Sequence, residues 1–440
     1  MNTRKSNNGV KYLFFLFAFI LAACHYDPAA TTPASYSLKL VKTFGGSGND
    51  VALAIARSSD GGYVLTGHTG SGDGDVSGLH GGEDIWVVKI NSSGTLDWQK
   101  TFGGSANDWG FSIIQTSDGG YAIAGHTTST GGDVSGNHGG WDVWVLKLSS
   151  AGNLEWQKSL GGSGNDMAYS VIQTSDGGYA IAGSTTSTNG DVSGKHGSAD
   201  AWVVHLNSSG SIEWQECLGG TDGDQLATSI IQTSDGGYAV AGRTSSTDLD
   251  ASGNHGGYDA WVVKLNSLGI TERHKCLGGS GADAASFIIR TSDGGYAVVT
   301  NSSSTDGDVT GNHGGGDGWI VKLDSSLNIK WQKCIGGTDD EALYSIIQSS
   351  DDGYIVGGRT KSMDKDVSGN HGGYDMWVVA LGASGNINWQ KCIGGTGDEY
   401  ATSMIQTPEG YALAGYTSSS DGQVSGNHGG LDFWLVTLSK

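Results

Sequence analysis

Seven histidines, His80, His138, His196, His255, His313, His371 and His428, each stand four residues ahead of an aspartate. Such imidazole–carboxylate pairs could ligate a metal, move protons or latch a loop. All seven copies keep the pair, and a feature that every copy needs is one that the copy's own structure needs, so the latch is favoured. The pair closes a polar stretch that in one copy runs Asp306-Gly307-Asp308-Val309-Thr310-Gly311-Asn312-His313-Gly314-Gly315-Gly316-Asp317. Carboxylates at positions 1, 3 and 12, a hydroxyl at 5 and a glycine at 6 match the oxygen spacing of a calcium-binding loop. The candidate calcium ligands are Asp73, Asp75 and Asp84; Asp248, Asp250 and Asp259; Asp306, Asp308 and Asp317; and Asp364, Asp366 and Asp375. The copy starting at Asn189 keeps the pattern, those starting at Gly131 and Asp421 each lose a ligand, and Asp replaces the longer Glu at position 12 throughout. The alternative is that these side chains cap backbone amides within the loop. No cofactor is required by either reading, and calcium is the one that the spacing admits.

Function in a repeating chain is sought where the repetition breaks. One slot near the end of each second strand holds His68, His126, Ser184, Arg243, Asn301, Arg359 and Tyr416 in turn. The slot before loop position 12 holds Glu83, Trp141, Ala199, Tyr258, Gly316, Tyr374 and Leu431, and Trp109 and Tyr400 vary the loop between copies. Aromatic planes beside Arg and His can stack on sugar rings or anchor a peptide. The candidate ligand-binding residues are therefore Trp109, Trp141, Tyr258, Tyr374, Tyr400, His68, His126, Arg243 and Arg359. For catalysis there is little: no Ser, Cys or carboxylate pair stands apart from the repeats beside a matching base, so no catalytic residue is assigned. His205 and His274 are singular, replacing a Lys and a Trp on outer strands.

The elements that carry these residues follow from a repeat of about 58 residues, marked by Tyr63, Tyr121, Tyr179, Tyr238, Tyr296, Tyr354 and Tyr411. In the third copy, Tyr169 to Thr174, Tyr179 to Thr185, Ala201 to Leu206 and Ile212 to Cys217 read as four strands, the first two joined by the turn Ser175-Asp176-Gly177-Gly178. Leu38 to Gly46 matches the fourth strand, and the last copy stops after its third, so one repeat is split between the termini. A ring gains closure from such a split and an open solenoid gains nothing. The fold class is all-β: a seven-bladed β-propeller over residues 37–440, its last blade completed by the N-terminal strand. A tryptophan on every third strand, Trp86 through Trp434, supplies the packing between blades. The loops between second and third strands and those between blades open on one face, which is the candidate binding surface.

The successive motifs G-G-S-G-N-D, D-G-G-Y-x-x-A-G-x-T and G-G-x-D-x-W-V-V-K-L resemble the seven-bladed propeller repeat (SBBP) family of secreted bacterial proteins. The resemblance covers residues 37–440 and implies the propeller fold. It implies no defined activity and supplies no catalytic residue.

Residues 1–23 combine Arg4, Lys5 and Lys11 with a short apolar run ending in Leu21-Ala22-Ala23, a signal peptide with a lipobox before Cys24. Cys24 is the expected lipidation site and residues 24–36 a tether, so the partner at this end is a membrane reached through a lipid anchor. That places the protein in the bacterial cell envelope, at the outer membrane, facing the periplasm or the outside. Without the signal, 21 Lys+Arg oppose 45 Asp+Glu, which excludes nucleic acid as a partner. Cys217, Cys276, Cys334 and Cys392 occupy one repeat position, too far apart to pair, and are expected as free thiols. The function expected is a non-enzymatic scaffold that binds a glycan or an envelope protein on its long-loop face. An envelope polysaccharide hydrolase or lyase and a purely structural spacer are the other readings.

Overall fold

The computed structural model describes residues 36–440; the signal peptide, Cys24 and the tether up to residue 35 lie outside the described residues. Seven four-stranded antiparallel sheets follow one another around a ring. Blade 1 consists of Asp50–Arg57, Tyr63–Thr69, Asp84–Ile90 and Leu96–Phe102, and blades 2 to 6 repeat that order. Blade 7 takes three strands from the C-terminus and its outer strand, Ser37–Phe44, from the start of the domain. No helix of the described residues is long and apolar enough to cross a membrane.

In blades 1 to 6 the first turn is set by two local contacts. In blade 3 the Gly177 N–H donates to the Thr174 carbonyl at 2.9 Å, and Gly177 sits at φ 86°, where a side chain would be strained. Asp176 then accepts from the Gly178 N–H at 3.0 Å. The third strands of blades 1 to 6 are buried at every position, because each is covered on both faces by neighbouring blades, and this accounts for their unbroken apolar runs. Their seven tryptophans are among the largest fully buried side chains. Trp86, Trp144, Trp202, Trp319 and Trp377 donate their indole N–H to a glutamine on the outer strand, as in Trp86 to Gln99 at 2.9 Å.

The cores lie between blades. One cluster joins Trp86 and Leu65 of blade 1 to Phe44, Ala414 and Phe433 of blade 7, so the closing strand is held by packing as well as by pairing. The four cysteines are free and buried, and burial pushes each thiol up to about 12. One alignment from the sequence is corrected by the register: His274 faces Val263, as Gln215 faces Val204, so it fills the glutamine slot, and Arg273 stands where the tryptophan would be.

Candidate functional site: the long-loop mouth of the ring

Every first strand carries a bulge at the same place, seen as a register shift between Ala52 and Ala54 in blade 1 and at the matching position in all the others. The extra residue is directed inward, so Leu53, Phe111, Tyr169, Thr228, Ser286, Tyr344 and Thr402 all line one cavity on the ring axis, with a volume of about 830 Å³. These seven were not singled out by sequence reasoning. A bulge adds no residue to the repeat length, so its only signal was variation at the fourth position of the first strand.

At the long-loop end of this channel the variable slots meet. The second residue of each first strand pairs with the slot near the end of the second strand: Trp109 with His126, Leu226 with Arg243, Ala342 with Arg359, Tyr400 with Tyr416. The residue before each third strand is brought alongside by a bond to the next blade. The Asp108 N–H donates to the Glu83 carbonyl, and Glu399 N–H to that of Tyr374, both at 2.6 Å. The predicted ligand-binding residues therefore share one rim, in three groups.

The first group spans blades 1 and 2. His68 stacks on Trp109 at 4.7 Å, Trp109 lies 5.5 Å from Trp141, and His126 meets Trp141 edge-on at 4.3 Å. The Trp109 indole donates to Glu83 at 2.7 Å. Burial pushes His68 down to about 4 and His126 to about 3, so both imidazoles are neutral near pH 7 and act as aromatic surface. The second group, in blade 4, is Arg243 over the Tyr258 ring at 4.7 Å. The third spans blades 6 and 7: the Arg359 guanidinium lies 4.4 Å from the centre of Tyr374 and 4.6 Å from that of Tyr400, which stacks on Tyr416 at 4.6 Å. Asn301, in the same slot of blade 5, is committed to structure, donating to Ser286 and accepting from the Leu343 N–H.

The histidine ring acts as the latch. Each His Nδ1 and its own backbone N–H bond to one oxygen of the Asp four residues on, as in His80 to Asp84 at 2.7 and 2.8 Å. Asp84, which starts the third strand, is fully buried, and an ideal Cβ on Gly103 would lie 2.6 Å from both Asp84 Oδ1 and Asp108 Oδ2. Two carboxyls thus flank one glycine at this junction. Burial pushes Asp84, Asp142, Asp259, Asp375 and Asp432 above the usual carboxylate range, and Asp317 up to about 6, each with a neighbouring blade's acid adding to the rise.

The loop carboxylates with calcium-like spacing are spread over separate amides. Asp73 accepts from the Ser47 N–H at 2.7 Å, Asp75 from the Gly45 N–H at 3.3 Å, and Asp84 serves His80. Asp306 and Asp364 cap the N–H groups of Ser280 and Thr338, and Asp248 that of Thr221. The Asp250 carbonyl accepts from the Trp261 indole. Asp308 and Asp366 have one buried oxygen each without a partner, and Asp259, Asp317 and Asp375 hold their histidines. Among the described residues, Asp176, His205 and Glu213 form the one group of three ligand-type side chains with atoms within 4.8 Å of one another. His205 there takes the place of Lys147 in blade 2, whose ammonium pairs with Asp118 at 2.8 Å and Glu155 at 2.9 Å.

No family model matches the chain. The regulatory protein FlaEY of Caulobacter vibrioides is 23% identical over 413 residues, covering 82% of this chain and 42% of that protein, so the chain spans less than half of that relative's length. Among solved structures the chain is similar to BamB from Moraxella catarrhalis, with 11% identity, 91% of this chain and 99% of that one covered and a TM-score of 0.44. It is also similar to Sqt1 from Chaetomium thermophilum, with 12% identity, 92% and 100% covered and a TM-score of 0.47.

Proposed function

We propose that this propeller is a lipid-anchored, non-enzymatic binding scaffold of the bacterial cell envelope, with the repeat signature of the SBBP family, which holds a glycan or a segment of an envelope protein over the mouth of its ring. One observation carries the reading: the side chains that break the sevenfold repeat gather on one rim as three aromatic groups, while the repeated His–Asp pairs are consumed as latches. Rigid aromatic planes beside cations are what recognition of a sugar face or a peptide anchor needs, and the barrel of blades fixes them with little entropic cost on binding. Anchoring at Cys24 would hold the scaffold at the membrane through its tether. The test is binding of the purified protein to a panel of envelope polysaccharides and envelope proteins. Saturable binding to one member supports the reading, and no binding across the panel refutes it.

A further inference from the structure

The channel below the rim differs in chemistry from the rim itself. Its wall carries several hydroxyls, but they are already used to stitch neighbouring blades. Ser112 accepts from the Val171 N–H at 3.2 Å, Ser170 from the Ile230 N–H at 3.3 Å, and Ser403 from the Ile55 N–H at 3.4 Å. Thr228 donates to the Ala285 carbonyl at 2.8 Å, and Thr402 to the Ala52 carbonyl at 2.9 Å. The surface left to an occupant is mainly that of Leu53, Phe111, Phe287, Met404 and the isoleucines beside them, with Arg57 and Gln115 at one end. A sugar lowered into this channel would lose hydration and find few partners, whereas an apolar body would lose nothing.

Beside this wall, though not among the residues that line it, lies Arg359. Arg359 sits half-buried between Tyr374 and Tyr400, and Tyr344, Tyr400 and Tyr416 line the cavity beside it. It makes no ion pair among the described residues, and its buried Nε has no hydrogen-bond partner. Arg243, over the Tyr258 ring, is likewise half-buried without an ion pair, whereas Arg57, Arg273 and Arg290 lack ion pairs and are exposed to water. In a chain with 45 acidic side chains, a half-buried guanidinium that no carboxylate meets can take an anionic group from a ligand. Burial pushes Tyr344 up to about 12 and Tyr416 higher still, so both phenols stay protonated and can donate.

We infer that the channel is a binding site for a small amphiphile with a single carboxylate and an apolar body, of the fatty-acid class, its carboxylate held by Arg359 and the adjoining tyrosine hydroxyls and its chain running down the axis past Phe111 and Leu53. The cavity of about 830 Å³ falls within the range of roughly 300–1,000 Å³ common for small-ligand pockets. The channel lies beneath the rim, but the carboxylate end of the site shares Arg359 and Tyr400 with it, so the inference rests on the proposed use of the rim; Leu53→Trp, which blocks only the channel, separates the two.

The experiment is calorimetric titration of the full protein with decanoate below its micelle concentration, beside decan-1-ol as a neutral probe of equal length. One decanoate should bind per chain. Arg359→Gln should weaken it about ten-fold or more while leaving decan-1-ol unaffected. Leu53→Trp, which fills the channel, should abolish binding of both, and thermal melting is used to confirm that each variant folds. Absence of decanoate binding, equal affinity of wild type and Arg359→Gln for decanoate, or binding that survives Leu53→Trp in the folded variant would each overturn the assignment. Binding of a peptide with an apolar C-terminus in place of decanoate would overturn the ligand class.

Discussion

Phe44 lies opposite Phe433 in the strand pair of blade 7 that no hairpin joins, and both rings are buried in the core shared with blade 1. The ring is therefore closed without a covalent link, by strand pairing, apolar contact and side-chain bonds such as that from the Thr43 hydroxyl to the Ser425 carbonyl at 2.9 Å. Deleting residues 37–44 would uncover the edge of Asp432–Ser439 and open a template for intermolecular pairing. The deletion protein should aggregate or lose its single cooperative melt, as read by light scattering and calorimetry. A truncated chain that stays monomeric with one sharp transition would refute closure.

The tryptophans divide into two classes by burial. Trp202 is 1% exposed, packed among Val171, Tyr179 and Cys217, and its indole is bonded to Gln215 at 2.7 Å. Trp202→Ala should cost about 3–5 kcal/mol. Trp141 is half-buried on the rim, and Trp141→Ala should cost less than about 1 kcal/mol. Chemical denaturation of the two variants checks the contrast.

The buried acids give stability an unusual pH dependence. Asp317 is raised to about 6 in the fold from an ordinary 3.8, chiefly by burial. The folded state therefore holds more protons than the unfolded one between these values. Its contribution is fully present below pH 3.8 and is lost as pH rises through 6, roughly 3 kcal/mol across the window. Asp317→Asn keeps a neutral side chain there, so the stability of wild type should fall relative to this variant from pH 4 to 6.5. Parallel curves for the two proteins would contradict the raised carboxyl.

Calcium is tested by removal. Asp73, Asp248, Asp306 and Asp364 each cap a backbone N–H of the preceding inter-blade loop, so an oxygen of each is already engaged in holding it. Melting with chelator and with added calcium should give the same midpoint. A rise of several degrees with calcium would show that these loops bind it.

Much of this architecture was legible because it repeats. The third-strand tryptophans, the His–Asp latch and the split blade each recur or fail at a fixed spacing, so period alone places them. What the sequence did not disclose depends on neighbours from other blades. Arg359 stood out as a variable slot, but its cage is built by Tyr400 from the next blade, and Tyr344 was passed over as an ordinary strand residue. Nothing in the sequence signals that Asp84 and Asp108 meet at Gly103, since the two lie on adjoining blades. His274 was misplaced by one position because a chain of single letters does not show which residue faces which across a ladder.

The central claim, that the rim is the recognition surface, is tested most directly by comparing the two faces. Trp141, Tyr258 and Tyr374 are replaced together by alanine, and in a second protein the exposed Leu268 and Ile270, in the turn between the third and outer strands of blade 4, are replaced likewise. Affinity for the envelope glycan or protein identified in the panel is then measured for both by surface plasmon resonance. The rim variant should bind at least about ten-fold more weakly, with the turn variant unchanged. Undiminished binding by the folded rim variant would contradict the account.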